Sequence, residues 1–364
     1  MINKKHKSAL STSKGVQQPS NVNIESIKNI RDKRKNKSNS YQIEASQIIK
    51  EIKKGNRTIL SQAITLVEST LPEHQNIANK IVACCLPFSG NSIRIGISGV
   101  PGVGKSTFIE TYGKHLISKG KKLAVLAIDP SSEFSKGSIL GDKTRMEELA
   151  NDANAFIRPS PSSGLLGGVA RHTRQAIILC EAAGFDTIFV ETVGVGQSET
   201  IVNTMVDMFL LLMLAGAGDE LQGIKRGIME MADIVAINKA DGSNIKKAEI
   251  AAVEYRNALH LYPSLKSKWI PQVVTCSAIT KKGIPELADL TLQFISHVKK
   301  SRYFNQKRKQ QAKQWLYETI DENLKQNFYE QPKIKAKLIE LEKQVLSGTI
   351  SPITAANKIL KIVK

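Results

Sequence analysis

The feature that most restricts what this chain can fold into is the stretch Gly99-Val100-Pro101-Gly102-Val103-Gly104-Lys105-Ser106-Thr107. It follows the apolar alternation Ile93, Ile95, Ile97 and precedes a helical pattern through Phe108, Ile109, Tyr112 and Leu116, so it reads as strand, glycine loop, helix. In that context Gly99, Gly104, Lys105 and Ser106 complete the spacing G-x-x-x-x-G-K-[ST]. Its glycines let backbone N–H groups approach phosphate, and the helix N-terminus adds positive potential. Lys105 is then placed to reach the β- and γ-phosphates of a nucleotide and Ser106 a Mg²⁺ ion. The bland alternative, a glycine turn between buried elements, is disfavoured by the flanking strand and helix.

From here the sequence alternates strand and helix, the pattern of a mostly parallel sheet covered on both faces. Candidate strands are 93–98, 123–129, 155–158, 187–192, 208–214, 234–238 and 273–277, and their unbroken apolar composition fits burial on both sides. The expected fold class is therefore α/β, a P-loop nucleoside triphosphatase. Ligands of such sheets sit at the carboxyl ends of the strands. Asp129 ends the second strand, Asp142 follows a glycine-rich loop, and Glu191-Thr192-Val193-Gly194 closes the strand 187–192. An acidic residue there can hold Mg²⁺ directly or through water, and Gly194 lets a backbone N–H face the γ-phosphate. Base choice comes from Asn238-Lys239-Ala240-Asp241 after the sixth strand. An aspartate accepts from guanine N1–H and the exocyclic amine, a donor pair that adenine lacks, which selects GTP over ATP. Thr275-Cys276-Ser277-Ala278, ending the last strand, is expected to present backbone N–H groups to guanine O6, with Ser277 and Ala278 as the binding residues.

The chain divides into four regions. Residues 1–40 carry ten Lys or Arg against Glu25 and Asp32 and are too polar to bury a core, so they are expected to be a disordered basic tail. Residues 41–90 hold short amphipathic helices broken at Gly55-Asn56, with a third after Pro72. Residues 91–298 form the nucleotide domain. Residues 299–364 are a helical arm, with apolar stripes Trp315, Leu316, Ile320, Leu324, Phe328 and Ile334, Leu338, Leu341, Val345, and a last helix started by Ser351-Pro352. These helices could cover one face of their own domain, but so much apolar surface beyond a finished sheet points at least equally to a second subunit, and the region is read as a dimerisation arm.

The formal charge of +19 invites a nucleic-acid reading, but it concentrates in the tail and in Lys299 to Lys313, which holds seven bases, no acid and the look of a solvated linker. Neither interleaves aromatics for base stacking, so no specific nucleic-acid partner is expected. No apolar run is long enough to span a bilayer. Cys84, Cys85, Cys180 and Cys276 make neither a disulfide framework nor a C-x-x-C site and are expected to be buried thiols in a reducing compartment. The lysine- and asparagine-rich start lacks a signal-peptide core, so the cytoplasm is the expected location.

Together these residues resemble one family, the GTPase chaperones of cobalamin-dependent acyl-CoA mutases: the bacterial MeaB and ArgK group and its human counterpart in methylmalonic aciduria type A. The likeness runs from about Ile48 to the C-terminus. Beyond the motifs above it includes Asp129-Pro-Ser-Ser, Gly137-Ser-Ile-Leu-Gly-Asp-Lys-Thr-Arg-Met146, the run from Glu191 to Glu199, and Gly218-Asp-Glu-Leu-Gln-Gly-Ile-Lys225. The resemblance implies a homodimeric GTPase that gates cofactor loading of methylmalonyl-CoA mutase or a related enzyme and protects it. By position it implies Ser106, Asp129, Asp142 and Glu191 around Mg²⁺, Lys105 and Gly194 at the γ-phosphate, and a partner-sensing loop from Asp219 to Lys225. Lys136-Gly137 departs from the two glycines expected there, and no ligand is removed by it. Alternatives are a kinase of lysine/arginine/ornithine transport and a nickel-insertion GTPase. The scattered His6, His74, His115, His172, His260 and His297 give the latter no metal-ligand cluster. A pure interaction protein with a degenerate nucleotide site is disfavoured because no expected ligand is missing.

Overall fold

The computed structural model describes residues 45–128, 146–160, 166–192, 198–216, 226–263 and 265–362. The basic tail, Asp129, Asp142, Gly194 and the segment from Asp219 to Lys225 lie outside the described residues. The chain divides after Gln47. The described part of the first unit, Ala45–Gln47, opens helix α1 (Ala45–Lys53), and every later element belongs to the unit Ile48–Lys364.

Helices α2 (Arg57–Glu68) and α3 (Pro72–Cys85) come after α1. The break between α1 and α2 falls at Gly55-Asn56 for two local reasons. Gly55 takes φ +77°, and Asn56 caps α2 by accepting from the Thr58 and Ile59 N–H groups at 3.2 Å each. Then come β1 (Ile93–Gly99), α4 (Lys105–Ser118), β2 (Leu123–Ile128), α5 (Glu147–Asn151), β3 (Ala155–Ser160), α6 (Leu166–Ala182) and β4 (Thr187–Thr192). After them lie α7 (Ser198–Asn203), β5 (Met208–Leu214), α8 (Arg226–Met229), β6 (Ile234–Asn238), α9 (Ile245–Leu259), β7 (Gln272–Thr275) and α10 (Ile284–Lys300).

The seven strands form one sheet in the order β3-β2-β4-β1-β5-β6-β7, every pair parallel. Strands β2, β4 and β6 are buried along their whole length, which only a sheet covered on both faces permits. Helices α4, α5 and α10 pack together, and α2, α3, α6 and the helix Tyr303–Glu330 pack together. Tyr112 of α4 ties the first group to the sheet: its ring stacks on Phe189 of β4, and its hydroxyl donates to Thr291 Oγ1 of α10 at 2.9 Å. From β1 the chain runs outward to β2 and β3, returns as β4, then crosses to β5 on the other flank. The strand order therefore switches at β1, and the crevice at its carboxyl end is where such sheets take a ligand.

The carboxyl region is α11 (Tyr303–Glu330), α12 (Pro332–Leu346) and α13 (Pro352–Leu360). The solvated linker expected at Lys299 to Lys313 is not found. That stretch is the end of α10 and the first turns of α11, and Arg308 within it has fixed partners. It sends Nε and Nη2 to the two oxygens of Asp207 at 2.7 Å each, and N–H groups to the carbonyls of Gly90 and Ser92, while Phe304 lies beneath the guanidinium. Asp207 is one residue ahead of β5 and its side chain is 2% exposed, so α11 is pinned to the amino ends of the central strands. Farther on, Ile334, Leu341, Ala355 and Ile359 build a separate small core with Phe328. Among the described residues no helix is long and apolar enough to cross a membrane. Three of the cysteines are buried and Cys84 is exposed, which corrects the expectation of four buried thiols.

Candidate functional site

The phosphate loop depends on two glycine positions. A Cβ at Gly99 would lie 2.5 Å from the Leu212 carbonyl oxygen of neighbouring β5, so only glycine lets β1 run this far before turning. Gly104 takes φ +87° at the N-cap of α4, a left-handed turn that aims the first N–H groups of the helix into the loop. Lys105 opens α4 and donates from Nζ to the Gly99 carbonyl at 2.8 Å, so the ammonium is folded across the mouth of the loop it belongs to. Burial lowers its pKa, and the charges of Glu191 and Glu199 oppose that shift.

Glu191 is 4% exposed, on β4 opposite Ile97 of β1 and Ala127 of β2, at the centre of the sheet's carboxyl edge. The next residue, Thr192, donates to Ser98 Oγ at 2.8 Å and locks the ends of β4 and β1 together. Sequence reasoning gives Glu199 no role of its own. It is fully buried in the first turn of α7, and its field reaches Lys105. A single acid at the start of a six-residue helix has no periodicity to mark it; the signal available is its place a few residues after Glu191 in a glycine-rich run.

The base loop and the phosphate loop are built as one unit. Asn238, 1% exposed at the end of β6, donates from Nδ2 to the Val103 carbonyl at 2.8 Å and accepts from the Ala278 N–H at 3.2 Å. Lys239 adopts φ +57° and donates to the Gly102 carbonyl at 2.7 Å, and Thr111 of α4 donates to the Ala278 carbonyl at 2.8 Å. Asp241 comes next, its carboxylate accepting from the Ser277 hydroxyl, while Ser277 Oγ also accepts from the Thr280 N–H at 3.1 Å. The structure thus brings Gly99 to Thr107, Asn238, Lys239, Asp241, Ser277 and Ala278 into one continuous hydrogen-bonded surface, with Glu191 beside it.

The N–H groups expected to meet guanine O6 are used internally. Cys276 N–H goes to the Ile237 carbonyl at 2.9 Å, Ser277 N–H to the Lys282 carbonyl at 2.9 Å, and Ala278 N–H to Asn238. These groups fix the loop that aims Asp241.

A family model described as "Methylmalonyl Co-A mutase-associated GTPase MeaB" matches residues 60–333. The chain belongs to the MeaB family. It is a GTPase, as members of that family are, and it binds guanine nucleotide. A Mycobacterium tuberculosis protein named a probable GTPase is 49% identical over 311 residues, which are 85% of this chain and 93% of that one. GTPase ArgK of Escherichia coli is 44% identical over 319 residues, 88% of this chain and 96% of ArgK. The mouse protein named methylmalonic aciduria type A homolog, mitochondrial, is 48% identical over 321 residues, 85% of this chain and 77% of its own length. Among solved structures, a protein described as LAO/AO transport system kinase superposes with a TM-score of 0.69 at 38% identity, over 88% of this chain and 98% of that one. In this MeaB-family chain, among the described residues, no group of three or more His, Cys, Asp or Glu could hold a metal ion.

Proposed function

We propose that the chain is a cytoplasmic, homodimeric GTPase that serves as a chaperone of methylmalonyl-CoA mutase or a related cobalamin-dependent mutase, gating cofactor loading and protecting the loaded enzyme. The observation that carries this reading is the family match over residues 60–333, whose description names the mutase. In this reading Gly99 to Thr107 wrap the phosphates, Lys105 leaves the Gly99 carbonyl for the γ-phosphate, and Gly194 offers its N–H there. Asp241, steadied by Ser277 and by the Asn238–Ala278 contact, accepts the two guanine N–H groups. Ser106, Asp129, Asp142 and Glu191 are hard oxygen donors, a set that suits Mg²⁺. When bound, the ion would neutralise charge on the β- and γ-oxygens.

The dimer is supported by α11, where Leu316, Ile320 and Leu324 recur at helical spacing and are 59%, 43% and 62% exposed, a stripe that a second copy would cover. The similarity to the LAO/AO transport system kinase favours a second reading, a kinase of lysine/arginine/ornithine transport. The two differ in what the chain recognises. Tagged chain loaded with GTP or GDP, incubated with purified mutase and pulled down, should retain the mutase in a nucleotide-dependent manner; no retention with either nucleotide would remove the mutase from the account.

A further inference from the structure

Helix α4 begins at the phosphate loop, and one of its faces holds α5. Ser106, Glu110, Gly113 and Lys114 recur at the three- and four-residue spacing of a single helical face. Glu110, half-buried on that face, accepts at Oε1 from the Glu148 N–H at 2.9 Å and the Leu149 N–H at 3.4 Å. A Cβ at Gly113 would lie 3.1 Å from Leu149 Cδ2, so α5 rests directly against the backbone of α4. Lys114 adds an exposed ion pair with Glu148.

The pattern at Glu110 is that of an N-cap supplied from another helix. An N-cap side chain accepts from the second and third N–H groups of its helix, and Glu148 and Leu149 are the second and third residues of α5. Met146, which stands in the N-cap place, has no oxygen to offer and is fully buried. The cap comes instead from a residue 38 positions before Glu148. The other end of α5 is held separately: Arg57 of α2 donates from Nη1 to the carbonyls of Asp152 and Ala155 at 2.6 and 2.8 Å. Burial of Met146 and Leu149 and this clamp keep α5 on the domain, and what Glu110 adds is the position of its first turn.

That turn is where the chain arrives from Asp142. Asp142 precedes Glu147 by five residues, a length of chain that spans at most about 17 Å. Ser106 lies one turn of α4, about 6 Å along the axis, from Glu110. Two of the oxygen donors assigned to Mg²⁺ above are therefore tethered to one carboxylate, the first through α4 and the second through α5.

We propose that Glu110 is a positioning residue for Mg²⁺ in the GTP complex, limiting the separation of Ser106 and Asp142 by joining the first turn of α5 to α4. The proposal rests on the Mg²⁺ reading of those two residues.

A residue that only stabilised the fold would change melting and leave the metal dependence alone, so the test reads the metal. Release of N-methylanthraniloyl GMPPNP from the full chain is followed against free Mg²⁺, alongside nucleotide affinity in EDTA and the melting temperature. Glu110→Ala should raise the Mg²⁺ concentration that half-maximally slows release by about five- to thirtyfold, the effect of losing a typical to strong N-cap, with affinity in EDTA unchanged. Glu110→Gln keeps an acceptor oxygen and should stay within about twofold of the wild type. Should the alanine variant not fold, Glu110→Asp keeps the charge but shortens the reach and is expected to show the same shift. Lys114→Ala removes only the exposed pair and should leave the Mg²⁺ dependence as it is. An alanine or aspartate variant with wild-type Mg²⁺ dependence, or a glutamine variant as impaired as alanine, would overturn the role of Glu110 and leave the Mg²⁺ reading standing. Wild-type release that does not respond to Mg²⁺ would overturn both.

Discussion

The Asp241 carboxylate accepts from Ser277 Oγ, and Ser277 is itself fully buried, so the acid proposed to read guanine is held at a fixed angle. Asp241→Asn keeps the size of the side chain but turns one acceptor into a donor that would oppose the guanine N–H pair. The preference for GTP over ATP should fall by about 1–3 kcal/mol, or about five- to 150-fold. Side-by-side GTP and ATP affinities check this, and an unchanged preference would detach the loop from the base. Lys105, Ser106 and Asp241 are legible in the sequence because their chemistry requires fixed spacing in a fixed context. Three other features of the site are not. Glu199 acts through space on Lys105 from a helix with no pattern to mark it. Asn238 also braces the phosphate loop, donating one amide N–H to the Val103 carbonyl. The N–H groups of Cys276 to Ala278 read as donors to the base because sequence does not show that Ile237, Lys282 and Asn238 already accept from them.

At the scale of elements, strands β4, β5 and β6 lie where the apolar runs place them, since a strand buried on both faces admits little else. Strand β7, expected over 273–277, is Gln272–Thr275 because the chain beyond it turns to join Asn238. Helix α11 begins at Tyr303, well before its apolar stripe. Its basic first turns resemble a linker because the acid that holds them, Asp207, is about a hundred residues away in sequence. That anchor divides the stripe. Trp315 turns inward towards Arg174, at 5.9 Å from its guanidinium, while Leu316, Ile320 and Leu324 stay outside. Charges placed on the outer positions should therefore spare the fold. Leu316→Glu combined with Leu324→Glu is expected to turn a dimer into a monomer with GTP affinity intact, as read by light scattering and nucleotide titration. A wild-type chain that is monomeric at micromolar concentration would remove the dimer and leave these helices to cover their own domain, and a double variant that stays dimeric would move the interface elsewhere.

For the whole molecule, the arrangement implies a GTPase that is slow alone. Lys105 is folded back on Gly99, and Gln197 and Lys225, the groups nearest in sequence that could orient water or add charge, lie outside the described residues. In related GTPases, supplying such a group raises the rate by about 10³- to 10⁵-fold, so even a small part of that effect, if the proposed mutase partner supplies it, is measurable. The decisive experiment is single-turnover GTP hydrolysis, followed as free phosphate, with and without purified mutase, in the wild type and in Glu191→Ala and Lys225→Ala. The account predicts a slow basal rate raised well over tenfold by the mutase, loss of hydrolysis in Glu191→Ala, and loss of stimulation alone in Lys225→Ala. Equal wild-type rates with and without the mutase would contradict it.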